Sequence, residues 1–443
     1  MEINIMDYVF TVPVSDKYIL HSPLHNITAL MNRSAVESLK EGNLKKKNLY
    51  ELYRSLSEKP VSMPAPNRGA INPDFMGLIP TRSCNFNCIY CGFGSCKDTS
   101  VMDFPLAMSS VEWMAEHVIN QGKTDVEIHF FGGEPFFASD VIRVAVYRTN
   151  MICGEYNMKP VFKVSTNGFF DEVTCSFIGD YFDTVVLSLD GQEDIQNRYR
   201  PLKNGGKTSH TVERNAFLLG RSPAELCIRV CVTEETVERM EEIAHRLCRM
   251  CNPSSVDFEV LRQTEDKELL PPDPWRFAVN YIKASGIVRD YGVTPVYGPA
   301  STGTVHHSFC PVGKDSIIIS PDGIISACYL QKEEWEKKGL DLTFGHIDNS
   351  GIHINEDNLK SIRALTDEKK FCRKCIARFH CAGGCHVHHV TEEYDVFCIQ
   401  TRIITVCNLL YDLGYTDLME DFINNRKELE RMVFQASDLI GES

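Results

Sequence analysis

The sequence predicts an α/β protein: a partial (β/α)6, TIM-like barrel with a small N-terminal α+β domain before it and a cysteine-rich C-terminal domain after it. Three observations carry this. A chain of 443 residues asks for two or three domains. Between residues 75 and 293, apolar β-like runs alternate with helical stretches, the pattern of right-handed βα units around a parallel sheet. The chain also carries 18 cysteines, and two dense groups of them flank that alternation.

The N-terminal segment, 1–75, holds β-like runs at Tyr8–Val12 and Tyr18–His21 and helical runs at Arg33–Glu41 and Leu49–Leu56. A proline-rich stretch from Pro60 to Pro73 then reads as a domain boundary. In the central segment, 76–293, strands are expected at Gly77–Pro80, Val126–Phe131, Val161–Ser165, Thr184–Leu189, Glu225–Val232 and Val256–Leu261. Helices are expected from a capping box at Ser109-Ser110-Val111-Glu112 through Val118, and over Val141–Tyr156, Val237–Arg249 and Trp275–Tyr291. Six units are fewer than the eight of a closed barrel, and ligands belong at the C-terminal ends of the strands. In the last segment, 294–443, the alternation stops. A hairpin is expected over Ser316–Ser320 and Ile324–Tyr329 around Pro321-Asp322-Gly323, with helical runs at Thr401–Leu413 and Leu418–Val433.

Composition narrows the function. Lys+Arg number 46 against 60 Asp+Glu, a net charge of -14, so a phosphate backbone is not the expected partner. No apolar run is long enough to span a bilayer, and Met1–Phe10 lacks the pattern of a secretory signal. The expected setting is cytoplasmic, reducing and anaerobic, where many cysteines mean metal or redox chemistry rather than disulfides.

Cys84, Cys88 and Cys91 form a CxxxCxxC loop directly after the first barrel strand. Three thiolates on one tight loop can hold three irons of a 4Fe–4S cluster and leave the fourth open to a small molecule. A zinc knuckle or free thiols remain the alternatives for the loop alone. The loop, its position and the aromatic Tyr90 resemble the radical S-adenosylmethionine (SAM) enzymes. Further segments at strand ends agree: Gly132-Gly133-Glu134-Pro135 is similar to the family's GGEP segment, which contacts the methionyl amino group of SAM. Ser165 and Asn167, then Ser188 and Asp190, stand where the family approaches the ribose and carboxylate of SAM. Arg200 matches a family arginine, although Gln196-Asn197 replace the His-Asp pair that often precedes it, and Arg229 is a further SAM-contact candidate.

The C-terminal cysteines resemble the SPASM domain, which carries two auxiliary 4Fe–4S clusters. By that resemblance Cys310, Cys328 and Cys385 bind the first, and Cys372, Cys375, Cys381 and Cys398 bind the second. A fourth ligand for the first is left open, with His306 and His307 as candidates beside an open iron. Two zinc sites are the alternative for these spacings. The remaining cysteines, Cys96, Cys153, Cys175, Cys227, Cys231, Cys248, Cys251 and Cys407, are read mostly as small buried hydrophobes.

The resemblance implies three 4Fe–4S clusters with SAM as cofactor. An electron donor such as flavodoxin or ferredoxin drives formation of a 5′-deoxyadenosyl radical that takes a hydrogen from the substrate. It implies a peptide substrate, with two subclasses in competition. One modifies a ribosomally made precursor peptide, leader plus core, with a thioether, a carbon cross-link or a related change. The other is the anaerobic sulfatase-maturing class, which forms formylglycine; those enzymes have an aspartate where Tyr329 follows Cys328 here. Residues 1–60 look like a winged-helix-type precursor-recognition domain, in which a leader would add a strand to the sheet edge. A non-catalytic iron–sulfur protein that binds a peptide for another enzyme is the reading from a different class. Tyr90 and Tyr329 are noted as possible radical relays, and no side chain is assigned as catalytic.

Overall fold

The computed structural model describes residues 8–60, 63–92, 98–262, 269–348, 350–366, 372–389, 396–434 and 438–439. Strands β1 (Phe10–Val14), β2 (Lys17–Ser22) and β3 (Ile27–Asn32) form an antiparallel meander, followed by α1 (Arg33–Lys40) and α2 (Lys47–Ser57). The sheet works with both faces. Val9, Leu20 and Met31 pack beneath Val36, Leu39, Leu49 and Leu56 of the two helices. Phe10, Val12, Val14 and Ile19 turn the other way into the main core. The Asn32 side chain caps α1, accepting from Ala35 N at 2.9 Å. The sequence reading missed β3, since Ala29-Leu30-Met31 are good helix formers; pairing with β2 overrides that preference.

All six expected barrel strands are present, each followed by helix. They are β4 (Met76–Leu78), α3 (Phe104–Asn120), β5 (Asp125–Phe130), α4 (Ser139–Tyr156), β6 (Lys159–Thr166), α5 (Glu172–Tyr181), β7 (Thr184–Ser188), α6 (Glu193–Tyr199), α7 (Ser209–Leu219), β8 (Glu225–Val232), α8 (Met240–Cys251), β9 (Ser255–Val260) and α9 (Pro274–Asp290). One helix start differs from expectation: α3 begins five residues before the Ser109 box, because Asp103 accepts from Leu106 N at 2.7 Å and Pro105 fits the first turn. Ser110 lies inside the helix and donates to Leu106 O.

The parallel sheet runs on past residue 293. Strand β10 (Thr294–Val296) pairs parallel with β9, and β11 (Ile317–Ile319) pairs parallel with β4, so each flank of the six-stranded barrel gains a strand from the C-terminal segment. β11 opens the expected hairpin with β12 (Ile324–Ser326), whose turn sets Gly323 at φ +79°. After α10 (Lys332–Glu336), β13 (Thr343–Asp348) and β14 (Gly351–Ile354) extend the sheet by a second hairpin, giving the order β10-β9-β8-β7-β6-β5-β4-β11-β12-β13-β14. Helices α11 (Glu356–Ala364), α12 (Arg378–Cys381) and α13 (Val396–Asp412) follow. The expected single helix Leu418–Val433 is two, α14 (Thr416–Ile423) and α15 (Arg426–Phe434), broken where Asn424-Asn425 intervene. The short β15 (Asp438–Leu439) then pairs antiparallel with β1.

Residues 63–75 carry neither helix nor strand. They are held by Asp315, a buried residue at φ +58°. Its carboxylate accepts from Asn67 Nδ2 at 2.6 Å and Asn72 N at 3.2 Å. The guanidinium of Arg363 on α11 closes on both of its oxygens at 2.8 and 2.6 Å. The linker is thereby fastened to the C-terminal segment rather than to the strand it precedes.

Candidate active site

The loop carrying Cys84, Cys88 and Cys91 leaves the C-terminal end of β4 and is pinned from two sides. The segment after α6 binds it through the backbone: Asn87 N donates to Pro201 O at 2.8 Å, Ile89 N to Tyr199 O at 3.0 Å and Lys203 N to Asn85 O at 3.0 Å. On the other side the turn after β5 presses against the strand end. Gly133 N donates to Thr81 O at 3.2 Å and Glu134 N to Ser83 O at 2.8 Å. A Cβ at Gly133 would overlap Ser83 O, and Gly132 sits at φ +143°, so the Gly-Gly pair is demanded by close backbone approach.

Glu134 is buried and accepts three hydrogen bonds, from Asn167 N at 2.7 Å, Thr166 Oγ1 at 2.7 Å and Phe136 N at 3.2 Å. Burial nevertheless pushes its carboxyl up to about 7. A cation placed beside it would favour the ionised form. Asn167 joins this turn to the loop, donating through Nδ2 to Asn85 Oδ1 at 2.7 Å and lying 3.7 Å from Cys84 Sγ. Pro135 follows, buried, in a single helical turn.

Asp190, after β7, is the hub of a second buried network. Tyr90 donates its hydroxyl to Asp190 Oδ2, Cys231 N donates to Oδ1 at 3.1 Å, and the Gln196 side chain accepts from Asp190 N at 3.0 Å. Arg200 Nη1 donates to the Tyr90 hydroxyl at 2.9 Å. Burial raises the Asp190 carboxyl and the Arg200 charge opposes that rise. Arg200 Nε is buried with no partner among the described residues, an orphaned donor next to the thiol loop. The sequence reading thus placed Tyr90, Asp190 and Arg200 in one region without foreseeing that they bond to one another. Ser165 and Ser188 stand half-buried at the ends of β6 and β7.

The thiols themselves suit a shared cation. Burial pushes Cys84 up to about 11 and Cys88 up to about 12, and each rise is increased by the charge of neighbouring loop thiols. In the C-terminal segment the same logic separates two groups. Burial lifts Cys310 to about 11 and Cys328 to about 12, with Cys385 adding to both. Cys381 is raised by burial and then by Cys375, Cys372 and Cys398. The partition of the seven cysteines into a three and a four is therefore the spatial one. Closely spaced buried thiols can ionise together only against metal charge. Arg262 Nη1 approaches Cys385 at 3.9 Å, and Arg402 Nε approaches Cys375 at 3.4 Å. His306 and His307 use Nε2 elsewhere, at 3.0 Å from Thr304 Oγ1 and 3.1 Å from Gly313 O.

Below the strand ends the inner wall is polar. On β5, Val126, Ile128 and Phe130 are buried under the helices while Glu127 and His129 face the other way. Glu127 accepts from Lys163 Nζ at 2.8 Å and from His129 Nε2 at 2.5 Å. Arg229 Nε donates to Asp257 Oδ2 at 2.9 Å across β8 and β9. Sequence reasoning missed this wall, although alternation of charged and apolar residues on β5 signals it. Cys227 and Cys231 share the inner face of β8 with Arg229 and are half-buried, the exceptions among the cysteines read mostly as buried hydrophobes. Cys153, Cys175, Cys248, Cys251 and Cys407 are buried as expected, and Cys96 lies outside the described residues. Tyr329 reaches the wall from the C-terminal segment. Its ring lies 4.8 Å from that of Phe131 and fills the space a side chain at Gly77 would need, and its buried hydroxyl has no partner among the described residues.

Comparison with known proteins agrees with this geometry. The radical SAM superfamily profile matches residues 78–247, and the SPASM profile, an iron–sulfur cluster-binding domain, matches residues 310–376. The cysteine-type anaerobic sulfatase-maturating enzyme of Clostridium perfringens is 29% identical over 36% of this chain and 44% of its own length. The radical SAM cyclopropyl synthase TigE of Paramaledivibacter caminithermalis is 22% identical over 81% of this chain and 75% of its own length. An uncharacterised protein of Methanocaldococcus jannaschii is 27% identical over 43% of this chain, which spans 64% of that relative's length. Among solved structures, anSMEcpe with bound AdoMet superposes with a TM-score of 0.60 at 20% identity, over 79% of this chain and 99% of that one. Streptococcus suis SuiB bound to S-adenosylmethionine superposes with a TM-score of 0.51 at 14% identity, over 88% and 96%. These two likenesses are of fold. The chain thus carries a radical SAM domain over residues 78–247 and, C-terminal to it, a SPASM iron–sulfur domain over residues 310–376.

Proposed function

We propose that the chain is a peptide maturase that takes a hydrogen atom from a ribosomally made precursor peptide and installs a thioether, a carbon cross-link or a related modification. The observation that carries the reading is the gathering of ten cysteines into three separate groups, one on the loop at the mouth of the barrel and two in the SPASM segment. Cys84, Cys88 and Cys91 would hold the cluster that binds SAM. Cys310, Cys328 and Cys385 would hold one auxiliary cluster, and Cys372, Cys375, Cys381 and Cys398 the other. When bound, the first cluster and SAM supply a 5′-deoxyadenosyl radical as the hydrogen acceptor. Electrons would come from a small donor protein such as flavodoxin or ferredoxin.

The protein's own part is orientation and exclusion of water. Glu134 is placed to take the methionyl ammonium of SAM. Ser165, Asn167, Ser188 and Asp190 would line its ribose and carboxylate, and Arg200, held by Tyr90, supplies a fixed positive charge beside Cys88. The polar wall of Glu127, His129, Lys163, Arg229 and Asp257 lies below that mouth, where the substrate segment would enter.

Two observations favour a precursor peptide over a sulfatase. Tyr329 stands beside Cys328 where sulfatase-maturing enzymes carry an aspartate. The N-terminal sheet, in the order β15-β1-β2-β3, leaves β3 unpaired on its outer side among the described residues, an edge to which a leader could add a strand. Similarity to both maturase classes keeps formylglycine formation as the second reading.

The test is an iron and sulfide count on anaerobically reconstituted protein, together with 5′-deoxyadenosine formation and the mass of a peptide encoded nearby. About twelve irons per chain, falling to about eight when Cys84, Cys88 and Cys91 are all replaced by Ala, is the expected result. About four irons in the wild type would remove the auxiliary clusters from the proposal. Conversion of a sulfatase peptide to formylglycine, with no change in any precursor peptide, would decide for the second reading.

A further inference from the structure

The hairpin of β13 and β14 carries a cluster that the chemistry above does not use. In its register His346 lies directly opposite His353, and the two rings stack with centroids 4.6 Å apart at 21°. Asp348, two residues along β13, projects from the same face as His346 because strand side chains repeat every second residue. Its carboxylate lies 3.1 Å from His353 Nε2 and 3.6 Å from His346 Nε2. One ligand atom from each of the three residues falls within 4.8 Å of the others.

The carboxylate is itself held in place. Ser350 donates to Asp348 Oδ1 from its hydroxyl at 2.6 Å and from its backbone N at 2.8 Å. Those bonds, with His353 beside them, keep the carboxyl ionised far below the usual carboxylate range. All three side chains are about half exposed, so an ion can reach them and a water can complete its shell.

We propose that His346, Asp348 and His353 form a binding site for a divalent first-row transition ion, zinc above all. Two imidazoles and a carboxylate are a donor set zinc accepts, with bonds of about 2.0–2.1 Å. A tetrahedral ion with such bonds spaces its ligands about 3.3 Å apart; here Asp348 Oδ1 lies 3.1 Å from His353 Nε2 and Oδ2 lies 3.6 Å from His346 Nε2. The ladder fixes both histidines before any ion arrives, so little chain entropy is lost on binding. The donor set holds no thiol, which separates it from the cysteine groups and their iron. β14 is the outermost strand of the sheet, and its far side has no partner strand among the described residues. An ion shared between β13 and β14 would clasp that edge.

The experiment uses the full chain with all clusters loaded, dialysed against zinc at about 10 µM and analysed for zinc and iron together, with zinc K-edge absorption on the product. The expected result is one zinc per chain beyond the iron, with nitrogen and oxygen neighbours at about 2.0–2.1 Å and no sulfur shell near about 2.3 Å. His353→Ala and Asp348→Asn, both on an exposed face, should each weaken zinc binding at least about tenfold with the iron count unchanged. Equal zinc in wild type and variants, a sulfur shell, or no zinc bound in the wild type would each overturn the proposal.

Discussion

His21 Nε2 lies 2.9 Å from His380 Nε2, a buried hydrogen bond that ties β2 of the N-terminal sheet to the turn bearing Cys381. The surrounding bonds set the tautomers. His380 Nδ1 faces Thr304 O at 2.8 Å and must donate, so His380 Nε2 accepts and His21 Nε2 carries the proton. His21 Nδ1 then accepts from Thr28 Oγ1 at 2.9 Å, on β3. Two hydrogen bonds thus link Thr28 on β3 to His380, the residue before Cys381.

This pair should make the fold acid-sensitive. Burial, and then the neighbouring His380, holds His21 down at about 3, below the 6.5 of a free imidazole. A base whose folded pKa is depressed contributes its full stability above about 6.5 and loses it progressively as pH falls toward about 3. One unit below the free value the cost is about 1.4 kcal/mol. Urea unfolding at pH 7.5 and 5.5 should show a loss of that order in the wild type that is absent in His21→Gln. Equal losses in the two proteins would place the sensitivity elsewhere.

Gly133→Ala should separate the SAM chemistry from the auxiliary centres. Its added carbon collides with Ser83 O one residue before the thiol loop. Displacement of that loop by about an ångström should cut 5′-deoxyadenosine formation by about 100-fold. Auxiliary iron, counted after chelation of the labile cluster, should stay at about eight per chain.

Removing the Tyr329 hydroxyl should act on stability and turnover in opposite directions. The group is buried without a partner among the described residues, so Tyr329→Phe should raise stability by about 1 kcal/mol. If that hydroxyl meets the peptide, modification should slow while SAM cleavage without peptide stays unchanged. A variant neither stabilised nor slowed would reduce Tyr329 to a packing residue.

The Asp315–Arg363 pair should be indispensable in one direction only. Side-chain exposures of 1% and 11% leave the carboxylate nearly dry. Arg363→Ala, which strands it, should cost about 3–5 kcal/mol in urea unfolding, and adding Asp315→Asn should recover part of that loss.

The sequence was most legible where chemistry and periodicity coincide. The six barrel strands could be read because each is an apolar-rich run, and the first four end at a motif. The grouping of the C-terminal cysteines came from their resemblance to the SPASM domain, which their order along the chain carries. The β13–β14 hairpin was missed since His346, Asp348 and His353 break the apolar pattern on its exposed face. The parallel pairing of β10 with β9 and of β11 with β4 was not foreseen, because it is a property of the folded sheet with no local signal. The Tyr90–Asp190–Arg200 network was invisible for the same reason: its members are neighbours only after the barrel curls.

The pairing of β15 with β1 has a temporal consequence. Phe10 and Thr11 find Leu439 and Asp438 as partners, residues far apart in the sequence. During synthesis β1 is made long before β15 and keeps that edge bare until residues 438–439 have left the ribosome. The order of manufacture thus becomes an order of readiness. A nascent or truncated chain lacking 438–439 would present a second bare edge, beside β1, in addition to that of β3 among the described residues.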